Sequence, residues 1–213
     1  MDTPIKTVLC YGDSNTWGYI PGSGERYSVS QRWTGVLRTA LGEGYMVIEE
    51  GLNGRTTVWD DPIELHKNGA SYLPPCLATH KPIDLVILML GTNDLKKRFS
   101  LSPFDIAAGA DRLVQMIRMS GCGPKGTSPH MLLLSPPYVG PLPFPLDETF
   151  EGAMAKSRQL KHHYMAVAKQ NQCEFLDTAD LITASDVDGL HFDIQAHQLL
   201  GKALAKLVSD ILK

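Results

Sequence analysis

The sequence predicts an α/β fold in which a central five-stranded parallel sheet lies between two layers of helices, a three-layer α/β/α sandwich. Short apolar runs recur along the chain, and each ends in a polar turn followed by a segment of helical periodicity. The run at residues 84–90, "DLVILML", is apolar from its second residue on, as expected for a strand covered on both faces. Strands that alternate with helices in this way build a parallel sheet with helices on both sides.

The elements follow in a regular order. Strands are predicted at residues 6–11, 45–49, 84–90, 131–134 and 174–176, and helices at residues 32–41, 103–120, 150–171 and 194–212. Ser102 and Pro103 are typical of a helix N-cap and first turn, and an apolar stripe marks the last helix. The turns that begin at Gly12, Gly51, Gly91 and Ser135 leave the same edge of the sheet, where sites form in such folds.

Length and composition favour one domain, residues 1–213, of an ordinary globular protein. The formal net charge of -3 gives no electrostatic basis for binding nucleic acid or an anionic membrane surface. No apolar run is long enough for a bilayer span, and no signal peptide is recognisable, so we expect a cytoplasmic protein. The four cysteines are scattered and no Cys/His cluster is visible, which predicts free thiols and no metal site.

The segment "YGDSNTWG" at residues 11–18 allows three interpretations. A phosphate cradle is disfavoured because no G-x-x-x-x-G-K-[ST] pattern is present and Asp13 would repel an anion. Asp13 or Ser14 is well suited to cap a following helix. Ser14 is a nucleophile only if a base accepts its proton and an acceptor orients that base. The segment alone leaves the choice between a cap and a nucleophile open.

A candidate base lies far downstream, in "DVDGLHFD". Asp188 precedes His191 by three residues across a glycine, just ahead of the last helix. Such a turn places a carboxylate beside the imidazole Nδ1–H and leaves Nε2 free as the base. The other histidines have less suggestive surroundings; His162 and His163 are expected on a solvated helix face, and His197 on the exposed side of the last helix.

Two further loops at the same sheet edge offer hydrogen-bond donors for a developing oxyanion. "GLNGRTT" supplies the main-chain N–H of Gly54, and "GTND" supplies the side-chain amide of Asn93. Arg55 and Asp94, next to these donors, are interpreted as residues that order the loops.

The four ordered segments together resemble the SGNH hydrolase superfamily, also called the GDSL esterases, from Gly12 to His191. "RWTGVL", "EEGLNGRTT", "NGASYLPPCLATH", "MLGTND" and "DGLHF" are similar to its bacterial arylesterase/acyltransferase branch. The resemblance implies a flavodoxin-like SGNH fold, Ser14 as nucleophile, His191 as base and Asp188 as its orienting acid. It also implies an oxyanion hole formed by the N–H groups of Ser14 and Gly54 and the amide of Asn93. One departure is Asn15, which stands where the family name has leucine.

The activity implied is hydrolysis of short-chain acyl and aryl esters through an acyl-serine, with acyl transfer to alcohols or peroxide, without cofactor or metal. Carbohydrate O-deacetylation, lysophospholipase or thioesterase activity, and a non-catalytic binding module are the alternatives. The proline-rich segment at residues 136–145 is expected to be a rigid loop, and its apolar content and the resemblance favour a homo-oligomer. The predicted substrate contacts are Trp17, Tyr19, Tyr138, Phe144 and Ile194.

Overall fold

A computed structural model describes residues 4–213 and contains the five-stranded parallel sheet. The strands are β1 (Lys6–Gly12), β2 (Tyr45–Gly51), β3 (Leu85–Met89), β4 (His130–Ser135) and β5 (Glu174–Asp177). They are ordered β2-β1-β3-β4-β5, and every neighbouring pair is parallel. The predicted sheet is confirmed, with strand ends that differ from the sequence-based bounds by two residues at most.

Helices cover both faces of the sheet, which confirms the three-layer sandwich. The helices are α1 (Ser14–Trp17), α2 (Trp33–Leu41), α3 (Gly69–His80), α4 (Pro103–Arg118), α5 (Leu146–Thr149), α6 (Ala153–Asn171) and α7 (Ile194–Ile211). Alternate residues of β1 point to opposite sides: Leu9 and Tyr11 join the core under α3, α4 and α6, whereas Val8 and Cys10 join the core under α2 and α7.

Three helices were absent from the list of predicted elements: α1, a single turn after Asp13, together with α3 and α5. α3 contains Pro74 and Pro75, which lack the N–H group that a helix interior needs and therefore conceal its helical pattern. The helix forms because Asn68 caps its first turn and Leu73 and Leu77 are buried in the core. α5 is a single turn that follows the proline-rich segment, and it is too short to show a periodicity.

The contact between α2 and α7 overturns the expected exposure of His197, which is fully buried. Arg32, at the N-cap of α2, has a donor-only side chain that cannot cap the first turn, so a free N–H at the start of α2 needs another acceptor. His197 Nδ1 accepts from the main-chain N–H of Trp33 at 3.1 Å. The helices come this close because Gly201 has no Cβ; one built there would lie 2.6 Å from Val36 Cβ.

Among residues 4–213, no helix combines the length and apolar character needed to span a bilayer.

Candidate active site

Ser14 stands at the carboxyl end of β1, on the first turn of α1. The side chain of Asp13 caps this helix by accepting a hydrogen bond from the N–H of Asn15 at 3.0 Å. The capping role therefore falls to Asp13, and the adjacent Ser14 remains the candidate nucleophile. Ser14 itself keeps its hydroxyl free for other contacts, and its main-chain N–H belongs to the helix start, where N–H groups have no helical partner.

Ser14, His191 and Asp188 form a continuous hydrogen-bonded chain. Ser14 Oγ lies 3.0 Å from His191 Nε2, and His191 Nδ1 lies 2.7 Å from Asp188 Oδ2. Because the carboxylate can only accept, Nδ1 carries the proton and Nε2 is left to accept from the serine hydroxyl. The structure thus brings the three residues together in the arrangement required for proton transfer from serine to histidine.

The electrostatics of Asp188 favour its ionised form. Burial acts to raise the pKa of Asp188, but the hydrogen bonds from the His191 side chain and main chain outweigh it and hold the pKa below its ordinary value. The second carboxylate oxygen, Oδ1, accepts from the N–H groups of Leu190 and His191 at 3.0 and 2.9 Å. These bonds fix the turn as well as the carboxylate.

The two predicted donor loops meet beside Ser14. Gly54 and Asn93 line the same cavity as Ser14 and His191. Asn93 Nδ2 donates one hydrogen bond to the carbonyl of Arg55 at 3.1 Å, which ties the loop after β3 to the loop after β2. The amide carries a second N–H, so this tie leaves one donor for a ligand.

Arg55 and Asp94 hold these loops in place. Arg55 is buried, donates to the carbonyl of Gly12 at 2.9 Å, and lies 4.2 Å above the ring of Tyr11. Asp94 accepts from the main-chain N–H of Thr57 at 3.1 Å and from its hydroxyl. Burial raises the pKa of Asp94 to about 6, although the bonds from Thr57 act to lower it. The Arg55 contact joins the second segment to β1, and the Asp94 contact joins the third segment to the second.

The cavity over Ser14 and His191 has a volume of about 300 Å³. Tyr19 is the one predicted substrate contact on its wall, and its ring stacks on the His191 ring with centroids 4.1 Å apart. Four other predicted contacts lie off this wall. They are Trp17, which packs beneath Arg26; Tyr138, which packs beneath Arg158; and the exposed side chains Phe144 and Ile194.

The cavity wall instead contains residues that the sequence did not single out. Leu146, Thr149 and Phe150, from α5 and the residue after it, form one part of the wall, together with Leu190. The i, i+4 pair Leu146 and Phe150 is the only signal in the sequence, and it is too short to distinguish a helix from a loop.

Another part of the wall is charged and includes Glu64, Lys96 and Arg98. Lys96 is almost fully buried and lies 2.6 Å from Glu64, which also contacts Arg98 at 2.7 Å. The buried carboxylate of Asp61 pairs with Lys96 and Arg98 at 3.5 and 3.1 Å. Burial acts to raise the pKa of Asp61, but main-chain hydrogen bonds and the two cations hold it below its ordinary value. With Asp61, which pairs with these cations but does not itself line the cavity, the cluster has two cations and two anions and is neutral overall.

One group of side chains that could hold a metal occurs among the described residues, and it was not recognised in the sequence. The ligand atoms of Glu50, Cys76 and His80 lie within 4.8 Å of one another, on the strand end of β2 and on α3. None of the three lines the Ser14 cavity. Glu50 Oε1 lies 2.8 Å from His80 Nε2, so the carboxylate already has a hydrogen-bond partner.

Comparison with known proteins places the chain in a family. The GDSL-like Lipase/Acylhydrolase family profile matches residues 10–199. No match is found among curated protein sequences. The solved structure of the native M. smegmatis aryl esterase is 45% identical with a TM-score of 0.94, and the alignment covers 97% of this chain and 100% of that one.

A second solved structure is comparably similar. Est24, a carbohydrate acetylesterase from Sinorhizobium meliloti, is 42% identical with a TM-score of 0.93, over 97% of this chain and 99% of that one. A lipolytic protein of the G-D-S-L family from Veillonella parvula, 16% identical with a TM-score of 0.67, shares the fold. The ordered sequence segments, the sheet topology and the family profile agree, and the chain belongs to the GDSL-like lipase/acylhydrolase (SGNH) family of carboxylic ester hydrolases.

Proposed function

We propose that the protein is a serine esterase that hydrolyses short-chain acyl and aryl esters through an acyl-serine intermediate. The observation that carries this proposal is the hydrogen-bonded chain from Ser14 through His191 to Asp188, with Ser14 and His191 on the wall of a small cavity. A nucleophile, a base and an acid that orients the base are the groups that acyl transfer requires.

In the proposed acylation step, Ser14 Oγ attacks the ester carbonyl while its proton passes to His191 Nε2. The carbonyl oxygen becomes an oxyanion, held by the N–H groups of Ser14 and Gly54 and by the free N–H of the Asn93 amide. Asp188 stabilises the imidazolium that forms without taking its proton. The tetrahedral intermediate then collapses, the bond to the leaving alcohol or phenol breaks, and His191 returns the proton to the leaving oxygen.

Deacylation reverses these roles. His191 removes a proton from water, the hydroxide oxygen attacks the acyl carbonyl, and the bond to Ser14 Oγ breaks as the serine recovers its proton. We propose that alcohols and hydrogen peroxide compete with water here, because the same imidazole activates any small O–H nucleophile that enters the cavity. Acyl transfer to an alcohol or peroxide is thus a proposed side activity.

The size of the cavity supports a preference for small acyl groups. A volume of about 300 Å³ lies at the low end of the range for small-molecule sites. Leu146, Phe150 and Leu190 offer apolar contact, whereas the charged groups of Glu64, Lys96 and Arg98 on the same wall would be costly to cover with a long alkyl chain. A long acyl chain would therefore have to leave the cavity.

Hydrolysis of a series of p-nitrophenyl esters, from acetate to palmitate, tests the proposal. We expect the highest kcat/KM between acetate and butyrate for the wild-type protein. Ser14→Ala should abolish turnover and also labelling by an organophosphonate. A preference for long acyl chains would favour a lysophospholipase or thioesterase. Full turnover by Ser14→Ala would refute the serine mechanism, and no turnover or labelling of the wild type would favour a binding module.

Carbohydrate O-deacetylation is the second candidate, and the charged part of the cavity wall favours it. Glu64, Lys96 and Arg98 can hydrogen-bond a polyhydroxylated alcohol, and Est24, a carbohydrate acetylesterase, is a close relative in sequence. The ratio of kcat/KM for an acetylated sugar and for phenyl acetate distinguishes the two. A higher value for the sugar ester would assign the protein to carbohydrate deacetylation.

We also propose that the protein forms a homo-oligomer. Three large apolar side chains, Ile63, Leu65 and Phe144, are 66% to 77% exposed, and a subunit contact that covered them would remove this apolar surface from water. Sedimentation equilibrium should give a mass that is a multiple of 23.4 kDa. A monomer mass at micromolar concentration would refute this part of the proposal.

A further inference from the structure

Asn15, the residue after the nucleophile, is a buried amide that contacts the base-bearing segment on both sides of His191. Asn15 Nδ2 donates to the carbonyl of Leu190 at 3.2 Å, and Asn15 Oδ1 accepts from the N–H of Phe192 at 3.0 Å. The partners dictate the orientation of the amide, because a carbonyl can only accept and a main-chain N–H can only donate. Asn15 is 1% exposed, so neither bond competes with solvent.

The main chain of Asn15 is itself held at both of its polar groups. Its N–H donates to Asp13 Oδ1 at 3.0 Å, and its carbonyl accepts from Trp33 Nε1 at 3.1 Å. Asp13 directly follows β1 and Trp33 begins α2, so Asn15 is anchored next to the sheet and to a helical layer. Such an anchored side chain can serve as a fixed reference for the segment that it contacts.

The bonds from Asn15 complete the support of the base. The N–H of His191 donates to Asp188 Oδ1 at 2.9 Å, and its carbonyl accepts from the N–H of Ser185 at 2.8 Å. Those bonds stay within the loop that carries His191. The two bonds from Asn15 join this loop to α1, the helix that begins with Ser14, and so relate the position of the base to that of the nucleophile.

We infer that Asn15 is a positioning residue that sets the distance between Ser14 Oγ and His191 Nε2 by clamping residues 190 and 192. The inference rests on the proposed function, since it assigns roles to Ser14 and His191. Leucine, the residue in the family name, has nearly the shape of asparagine but no polar atoms. At position 15 it would leave the carbonyl of Leu190 and the N–H of Phe192 buried without partners.

The test compares Asn15→Leu with the wild type in steady-state kinetics on p-nitrophenyl acetate. We expect kcat to fall roughly 100-fold, the scale of an ångström-sized misplacement of a reacting group, while KM changes by less than about threefold. Proton NMR gives a second readout: the resonance of the Nδ1 proton shared by His191 and Asp188 should broaden or vanish in the variant. A purely structural role would leave this resonance and kcat unchanged in the folded fraction.

Asn15→Asp provides a conservative variant. Its protonated carboxyl can donate to Leu190 and accept from Phe192 as the amide does, whereas the ionised form has lost the donor. The ratio of its kcat to the wild-type kcat should therefore rise as the pH is lowered. A ratio independent of pH would contradict the clamp, and this comparison remains available should Asn15→Leu fold poorly.

Asn171→Leu is the matched control. Asn171 is also a buried amide with two hydrogen bonds, to Asp111 at 2.6 Å and to the carbonyl of Val167 at 2.9 Å, but it lies at the end of α6. The substitution Asn171→Leu should lower Tm and leave kcat unchanged. An equal fall of kcat in Asn171→Leu, or wild-type kcat in folded Asn15→Leu, would overturn the inference. Neither result touches the proposed function, which is tested separately by the ester series on the wild type and by Ser14→Ala.

Discussion

The pKa of Asp188 shows how individual hydrogen bonds decide the charge of a largely buried carboxyl. Three hydrogen bonds, from the His191 ring and from the main-chain N–H groups of Leu190 and His191, offset the effect of burial on the pKa of Asp188. An ionised Asp188 keeps the proton of His191 on Nδ1. The tautomer, and with it the basicity of Nε2 toward Ser14, therefore depends on this one side chain.

Replacement of Asp188 by asparagine should reduce kcat by about 10⁴-fold, because the amide can present an N–H to Nδ1 and so favour the wrong tautomer. The fold should persist, since asparagine keeps the shape and one acceptor for the turn. Single-turnover kinetics together with a circular dichroism spectrum measure both. A variant with native spectrum and undiminished turnover would exclude Asp188 from the mechanism.

Gly54 illustrates a residue whose missing side chain matters. Its φ is +81°, and a Cβ built there would lie 2.6 Å from Glu64 Oε2. Gly54→Ala should therefore lose about 1–2 kcal/mol of stability from the left-handed backbone alone. It should also lower kcat at least tenfold, because relief of the contact moves the proposed oxyanion donor or the ion pair of Glu64 with Lys96.

Gly126→Ala separates the two effects of the Gly54 substitution. Gly126 has a similar φ of +78°, but no atom lies within 4 Å of a Cβ built on it. Thermal unfolding should show a comparable loss of stability, with unchanged kcat. A similar fall of kcat in both variants would mean that Gly54 has no specific role at the site.

At the residue scale, sequence motifs singled out the groups that the structure brings together, and they failed for much of the cavity wall. Ser14, Asp188 and His191 lie in short patterns whose chemistry is readable from residue type and spacing. Lys96, Leu146 and Phe150 carry no such pattern, because a wall position depends on where a loop folds back and not on its own residue type. The role of Asn15 depends on a contact 175 residues away.

At the scale of elements, the packing of α2 on α7 makes stability depend on pH. Burial lowers the pKa of His197 from 6.5 to about 4, with the nearby charges as smaller influences. Between pH 4 and pH 6.5 the His197 imidazole binds a proton in the unfolded chain but stays neutral in the folded chain. The free energy of unfolding contributed by neutral His197 is therefore present above pH 6.5 and is lost as the pH falls toward 4.

A comparison with His197→Asn isolates this effect, because the asparagine Oδ1 can still accept from the N–H of Trp33. The stability of the wild type relative to this variant should fall by about 3 kcal/mol between pH 6.5 and pH 4, as measured by urea unfolding. The difference removes the opposite contributions of other groups, such as Asp13, whose pKa burial raises to about 6. The exposed His162 provides the control: His162→Asn should show no such difference. A pH-independent difference for His197→Asn would contradict the assignment.

The elements that the sequence predicted are those with continuous local patterns. The apolar run of β3 and the capped helix α4, with Ser102 and Asp105 in a reciprocal capping box, are readable because burial and capping leave local signatures. The helix α3 was missed because its stability comes from tertiary burial around two prolines. α2 begins without a local cap, and its acceptor is supplied by His197, 164 residues later.

At the scale of the whole molecule, the parallel sheet has two edges, and the candidate site residues lie at the carboxyl edge only. Ser14, Gly54 and Asn93 all follow the carboxyl ends of strands. Cys173 directly precedes β5 and is therefore at the amino edge, where it lines a separate cavity of about 480 Å³. It is half-buried, whereas Cys10, Cys76 and Cys122 are buried.

Thiol alkylation of the native protein should therefore modify Cys173 first, without loss of esterase activity. The reaction should be slow at neutral pH, because burial raises the pKa of Cys173 to about 11 and little thiolate forms. Peptide mass spectrometry identifies the modified thiol, and a p-nitrophenyl ester reports activity. Faster labelling of Cys76, or inactivation that follows the labelling of Cys173, would contradict this separation.

The wall residues Leu146, Thr149 and Phe150 have a consequence for how this protein can diverge. They come from one short segment of the chain between β4 and α6, whereas the proposed catalytic residues and oxyanion donors all come from other segments. Substitutions there reshape what fits against Ser14 while the groups that make and break bonds stay where they are. Substitution of a few residues in this one segment can thus change the substrate preference of the enzyme, while the reaction that it catalyses stays the same.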